Sequence, residues 1–269
     1  MSKKADRIGE TNVSKEGCVM KIIEYNNANN IIVEFQGEYK YRLHTNYKAF
    51  KNGQCKNPFF PSVCGHGYLG IDRNGNVPKT REFKDSKTVN TWEYNKWCKM
   101  LTRCFDDKYK QGNPTYKDVT CCDRWLCFAN FLEDFKILKQ ECNWSTNEKL
   151  NLDKDILYKG NKIYSLKNCV FVPDWINLLF IKKDANRGEY PIGVNYNKQA
   201  KKYEARCSIN GKNTHLGYYN TVEEAFNAYK QAKENEIKRI ADECIQKCYI
   251  TKDSRLYNAM ISYKIEIYD

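Results

Sequence analysis

Apolar side chains recur along this chain at two spacings. Near-alternation marks its first and third portions, and a three-to-four-residue rhythm marks the middle, so strands are expected in the former and helices in the latter. Val19, Ile22 and Ile23 up to Tyr25, then Ile31, Val33 and Phe35, then Tyr39, Tyr41 and Leu43 are strand-length runs. They are separated by the polar stretches Asn26-Asn27-Ala28-Asn29-Asn30 and Gln36-Gly37-Glu38. A small β-meander or barrel follows for residues 1–90, closed by Asn57-Pro58, Pro61, Gly65, Gly67, Gly70 and Gly75. In residues 91–180, Trp92, Trp97, Met100, Leu101, Cys104 and Phe105 keep helical spacing. Trp125, Phe128, Phe131, Leu132 and Phe135 repeat it after the Gly112-Asn113-Pro114 break, which predicts two packed helices whose aromatics are core.

The third portion opens at Asn186-Arg187-Gly188-Glu189-Tyr190-Pro191 and has the sharpest local signals. Ile192 to Tyr196, Tyr203 to Ile209 and Thr214 to Tyr219 read as strands. The last two are joined through Asn210-Gly211, a pair whose residues tolerate the positive φ that a two-residue hairpin turn needs. Thr221 and Glu224 then form a capping box, and Ala225, Ala228, Tyr229, Ala232, Ile237 and Ile240 carry an apolar stripe at helical spacing. Small alanines let that helix approach the sheet, with Ala205, Cys207 and Ile209 alternating toward it. Glu204, Arg206 and Ser208 therefore face outward. The fold class is α+β in several modules: a β-rich module over 1–90, an α/β module over 91–180, a three-stranded antiparallel sheet on a long helix over 186–242, and a C-terminal helix with a short strand over 243–269.

Charge sharpens this division. Lys+Arg 45 against Asp+Glu 33 makes the chain +12 over 269 residues. The excess sits in the flanking modules: residues 1–90 hold 15 basic and 9 acidic residues and 181–255 hold 15 and 10, against 14 and 12 in 91–180 and 1 and 2 in 256–269. A polyanion is the natural partner of such a chain. In the first module Lys40, Arg42, Lys48, Lys51 and Lys56 either dock nucleic acid or protein, or are ordinary solvated lysines and arginines. No apolar run approaches the roughly 20 residues a bilayer span requires, and the opening MSKKADRIGE lacks an export core, so a cytoplasmic protein is expected. The 13 cysteines are odd in number and read as mostly reduced. There is no zinc cue, because no Cys-x-x-Cys occurs and His44, His66 and His215 lie far apart. Cys121, Cys122 and Cys127 sit beside Trp125, Phe128 and Phe131 and read as small buried hydrophobes.

Ile192-Gly193-Val194, Lys202-Tyr203-Glu204-Ala205-Arg206-Cys207, His215-Leu216-Gly217-Tyr218-Tyr219 and Thr221-x-Glu223-Glu224-Ala225-x-x-Ala228-Tyr229 together resemble the AP2/ERF DNA-binding domain. The resemblance implies that the free face of the sheet lies in the major groove of double-stranded DNA. Position by position, that face is Ile192, Asn195 and Asn197 on the first strand, Arg206 and Ser208 on the second, and Asn213 and His215 on the third. Several arginines of the family are replaced here by Ile192, Asn195, Asn197, Ser208 and Asn213. Asn can pair with adenine, and Lys198, Lys201, Lys202 and Lys212 near the hairpin can hold phosphates.

Leu152-Asp153-Lys154-Asp155-Ile156, Gly160-Asn161, Tyr164-Ser165-x-x-Asn168-Cys169 and Phe171-Val172-Pro173, leading to Asn177, resemble the HNH endonuclease core, a β-hairpin followed by a helix that grips one divalent metal. Trp97-x-x-Met100-x-x-Arg103-Cys104 is similar to the leading helix of phage-borne homing-type endonucleases that pair such a core with an AP2-like domain. The resemblance covers roughly residues 91–269 and implies Asp153 and Asn177 as ligands of Mg²⁺ or Mn²⁺, with Asn168 as the central Asn. Lys154 stands where the family has its general-base histidine, and an ammonium with an ordinary pKa near 10.4 cannot accept a proton at neutral pH. Asp155 could, but on a continuing strand it points to the opposite face. The expectation is sequence-selective duplex DNA binding by a phage-like relative of HNH homing-type endonucleases, in a bacterial host's cytoplasm. Two alternatives stay open: an active metal-dependent endonuclease, and a non-enzymatic effector that docks on a host protein.

Overall fold

The computed structural model describes residues 7–145, 148–181 and 189–268. In chain order the first half runs β1 (Thr11–Val13), β2 (Val19–Asn27), β3 (Asn30–Phe35), β4 (Arg42–Thr45), α1 (Tyr47–Lys51), β5 (Arg81–Lys84), β6 (Lys87–Asn90), α2 (Trp92–Phe105), α3 (Asp107–Gly112), β7 (Thr120–Cys121) and α4 (Phe128–Gln140). The second half runs β8 (Leu150–Asp153), β9 (Ile163–Tyr164), β10 (Val170–Pro173), α5 (Asp174–Asn177), β11 (Val194–Asn197), β12 (Lys202–Ile209), β13 (Lys212–Tyr219), α6 (Val222–Gln246) and α7 (Arg255–Ser262). The fold is mixed α+β with several small sheets and, among the described residues, seven α-helices. No helix of the described residues is long and apolar enough to cross a membrane.

Two compact units emerge, Met1–Phe135 with Lys162–Ser165, and Lys136–Asn161 with Leu166–Asp269. In the first, β1 to β4 form an antiparallel meander in sequence order. Met20 and Ile22 of β2, Ile31, Val33 and Phe35 of β3, and Phe50 of α1 fill its core. Strand four begins at Arg42, later than the apolar pattern placed it. Tyr39 and Tyr41 instead pack edge-on against Phe60 and Phe59.

The helical rhythm of the middle segment becomes α2 and α4, and their aromatics meet. Trp97 lies 5.1 Å from Phe128 and Trp92 4.8 Å from Phe135, ring centre to ring centre. Buried indoles need partners for their N–H groups. Trp97 Nε1 donates to the Trp125 carbonyl at 2.7 Å, and Trp125 Nε1 to Asp134 Oδ2 at 2.8 Å. Trp125 is not on α4, as the spacing suggested, but in a single 3₁₀ turn, Asp123–Leu126, just before it. Tyr164, grouped above with the hairpin residues of the HNH-like stretch, belongs to β9, which pairs in parallel with β7 in the first unit.

In the second unit β8 and β10 pair antiparallel, with Asp153 opposite Val170 and Leu150 opposite Pro173. Apolar residues of this ladder, Ile176 of α5, Ile237, Ile240, Ala241 and Cys244 of α6, and Leu256 and Met260 of α7 form one core. The short strand expected near the C-terminus does not form. Residues 263–266 have no regular structure, and the Ile265 N–H goes to Glu234 Oε1 on α6 at 3.0 Å instead of to a neighbouring strand.

Candidate nucleic-acid interface

The β11-β12-β13 sheet turns one face toward α6 and a polar face away from it. Its inner face is fixed by burial. Val194, Ala205 and Cys207 lie against Ala225, Phe226 and Tyr229, and a Cβ on Gly193 would come within 2.0 Å of the Tyr229 ring, so only glycine lets the strand start so close to the helix. The β12–β13 turn is Asn210 and Gly211 with φ of 51° and 73°, as the hairpin signal required. The capping box at Thr221 and Glu224 is complete. Glu236 of α6 then ties the turn to the helix: its Oε1 accepts from the Asn210 N–H at 2.8 Å, while Arg239 donates to both carboxylate oxygens.

Register decides what the outer face holds. Asn195, Glu204 and Tyr218 form one row across the three strands, Asn197 pairs with Lys202, and Ser208 pairs with Asn213. Between the Ala205–Gly217 and Arg206–His215 pairs, β13 carries one extra residue, Leu216. This bulge shifts the alternation by one, so that His215 and Tyr218, three apart in sequence, share the outer face while Leu216 and Tyr219 join the core. Tyr218 was missing from the residues singled out by sequence. The available signal was the pairing of polar His215 with apolar Leu216 and of exposed Tyr218 with buried-side Tyr219, which strict alternation cannot accommodate.

Glu204 is on the outer side, as alternation demands, but it is not open to solvent: it is 8% exposed beneath Arg206 and His215. Arg206 Nε donates to Glu204 Oε1 at 2.8 Å and His215 Nδ1 lies 2.9 Å from the same oxygen. The hydrogen bond from Arg206, aided by that from His215, holds the Glu204 carboxyl below the ordinary glutamate range. An ionised carboxylate only accepts, so His215 Nδ1 carries the hydrogen and Nε2 is the imidazole atom left for a ligand.

Three other sequence assignments change. Ile192 precedes β11 and packs on the helix side of the sheet, not on the outer face. Asn197 uses Oδ1 to accept from the Gln199 and Ala200 N–H groups at 3.0 and 2.9 Å, so it builds the β11–β12 turn, while its Nδ2 reaches the Tyr218 hydroxyl at 3.3 Å. The lysines do not gather at one hairpin. Lys198 and Lys201 flank the β11–β12 turn and Lys202 begins β12, whereas Lys212 lies past its other end, a strand length of about 23 Å away. All four are exposed, as are Asn195, Arg206, Ser208, Asn213 and His215. Of the expected opening turn, Asn186, Arg187 and Gly188 lie outside the described residues.

The HNH-like stretch is assembled differently from its expectation. Strand β8 ends at Asp153, whose Oδ1 accepts from the N–H groups of Asp155 and Ile156 at 2.7 and 2.8 Å. This turn carries Asp155 off the strand, so it does not project from an opposite face; its Oδ2 takes a hydrogen bond from Lys154 Nζ at 2.6 Å. Lys154 is only 5% exposed and also donates to the Asn161 carbonyl at 3.0 Å. Asn161 returns a bond from Nδ2 to the Lys154 carbonyl at 2.9 Å, and Asn168 Nδ2 donates to Asn161 Oδ1 at 3.0 Å. Lys154, Asn161 and Asn168 thus clamp the long connection between β8 and β10.

Burial pushes the Asp153 carboxyl above its ordinary range, partly opposed by the two backbone donors. Asp153 stands at the end of the ladder opposite to the one from which α5, with Asn177 as its last residue, departs. Among the described residues no group of three or more His, Cys, Asp or Glu side chains is placed to hold a metal ion. A carboxylate whose Oδ1 already accepts from two N–H groups, with an ammonium on the next residue, is a poor ligand for a divalent cation. These residues do not fit the Mg²⁺ or Mn²⁺ centre that the resemblance implies.

In comparisons with known proteins, no family model matches the chain, and neither does any curated protein or solved structure.

Proposed function

We propose that this protein binds double-stranded DNA through the outer face of β11–β13, as an AP2/ERF-like reader attached to an HNH-like hairpin whose polar groups are turned to structural use. The observation that carries the reading is the exposed polar face itself, in which Glu204 holds Arg206 and His215 side by side. Three strands spaced about 4.8 Å apart are some 10 Å across, and the major groove is about 12 Å wide. Two of the guanidinium's three nitrogens, Nε and Nη2, turn to Glu204, so Arg206 keeps its Nη1 edge for one directed contact to a base. Asn195 and Asn213 bring amides suited to adenine, and lysines at both ends of β12 are placed for phosphates on either side of the groove. Strand cleavage is not part of the reading, because the Lys154 ammonium is committed to Asp155 and Asn161.

The test is titration of a labelled random-sequence duplex with the full chain as salt rises from about 50 to 200 mM. Phosphate contacts release counterions, so the logarithm of the binding constant should fall linearly with the logarithm of salt concentration. Absent binding, or binding indifferent to salt, would overturn the proposal.

A further inference from the structure

The hairpin β5–β6 is the least self-explanatory piece of the first unit. All eight of its residues are exposed, and it joins no other sheet. A two-stranded hairpin without a buried face is marginal in water. It is held by the Thr91 N–H to Thr80 carbonyl bond at its base, 2.9 Å, and by a two-residue turn, Asp85-Ser86, with φ of 49° and 64°.

Two features work against the hairpin as a free surface element. Lys84 and Lys87 pair directly across its last rung, and like charges in that position repel. Among the described residues neither lysine makes a side-chain hydrogen bond or ion pair that would relieve this. Beside them Phe83 is 77% exposed. Its side of the ribbon also carries Arg81, two residues earlier on the same strand. Lys84 and Lys87, with Glu82, therefore lie on the opposite face from Phe83 and Arg81, and the three cations outnumber Glu82 and Asp85. A net-cationic ribbon of this kind, laid edgewise in a groove, offers cations on both faces to a polyanion and the Phe83 ring to the flat apolar surface between them.

We infer that β5–β6 is a second DNA-contacting arm, in which Lys84 and Lys87 neutralise backbone phosphates of duplex DNA and Phe83 presses on the sugars and base edges of a groove. This rests on the reading that the chain binds duplex DNA, but it uses different residues in a different unit.

The full chain carrying Lys84→Ala with Lys87→Ala should show a salt slope lower by about 2, one for each lost phosphate contact. Phe83→Ala should weaken binding at least about fivefold with the slope unchanged, because no charge is removed. Lys84→Glu separates folding from binding. It sets an acidic side chain opposite Lys87, which favours the hairpin, yet it should weaken duplex binding more than Lys84→Ala does. If all these variants match the natural protein while Lys201→Ala with Lys202→Ala weakens binding, the arm is wrong and the sheet reading stands. If the hairpin variants weaken binding and the sheet variants do not, the arm stands and the sheet reading falls. A Phe83→Ala defect seen on single-stranded but not duplex probes overturns the duplex assignment, and a natural protein that binds no duplex overturns both readings.

Discussion

Arg206 and His215 stand opposite each other across β12 and β13 and share one acceptor, the Oε1 atom of Glu204. The arrangement fixes both groups relative to each other and makes the outer face depend on one nearly buried carboxylate.

The first prediction concerns acid. The folded-state pKa of Glu204 is depressed, chiefly by the Arg206 hydrogen bond, so its contribution to stability is fully present above the unfolded value near 4.3 and is lost as pH falls through the lower folded value. Urea unfolding of the natural protein and Glu204→Gln should therefore show the natural protein ahead at neutral pH. The gap should narrow below about pH 4. A gap independent of pH would mean that the carboxylate does not hold the pair.

Base reading and phosphate holding should separate by residue. Arg206→Ala is expected to cost about 1–3 kcal/mol at one base position and to relax preference there, whereas Lys201→Ala with Lys202→Ala should weaken binding to all sequences about equally. Selection of bound sequences from a random pool checks both. An unchanged motif for Arg206→Ala would count against the outer face as the reading surface.

In the β8–β10 hairpin the polar residues should behave as structure. Asp153→Asn keeps the acceptor for the Asp155 and Ile156 N–H groups and removes a partly buried charge, so stability at neutral pH should hold or rise; Asp153→Ala should lose about 1–3 kcal/mol. Lys154→His should lower stability by a similar amount, since the ion pair and the Asn161 bond both go, and should not create nicking of supercoiled plasmid in Mg²⁺ or Mn²⁺. Thermal melts with and without these metals should coincide. Nicking by Lys154→His, or a metal-dependent rise in melting temperature abolished by Asp153→Ala, would restore the metal-centre reading.

Glu236 is the pin between the hairpin turn and α6. Replacing it with alanine leaves the Asn210 N–H and the Arg239 guanidinium without their shared acceptor, at a cost of about 1–3 kcal/mol, and should loosen the turn selectively. Hydrogen exchange at the Asn210 amide, compared with amides in the middle of α6, is the measurement. Uniform acceleration across both would point to general destabilisation instead.

Elements whose signals are complete within a few residues are legible in the order of residues alone. Asn210-Gly211 sets its turn by backbone conformation alone, Thr221 and Glu224 satisfy donors within one helical turn, and the period of Trp97, Met100, Leu101 and Cys104 makes one face of α2 apolar whatever it packs against. The outer face of the sheet was legible for the same reason, through Arg206 and Ser208 alternating with buried Ala205 and Cys207. The remaining features depend on partners distant along the chain. The bulge at Leu216 arises from the match of β13 to β12 and brings Tyr218 beside His215. Glu204 is covered because both of its neighbours lean over it, and Ile192 packs with the apolar residues between sheet and helix. Lys154 looked like a substituted base by position, but it is buried and bound to Asp155 and Asn161. Spacing records which residue types lie in order, while hydrogen bonding and burial depend on which groups the fold brings within about 3 Å.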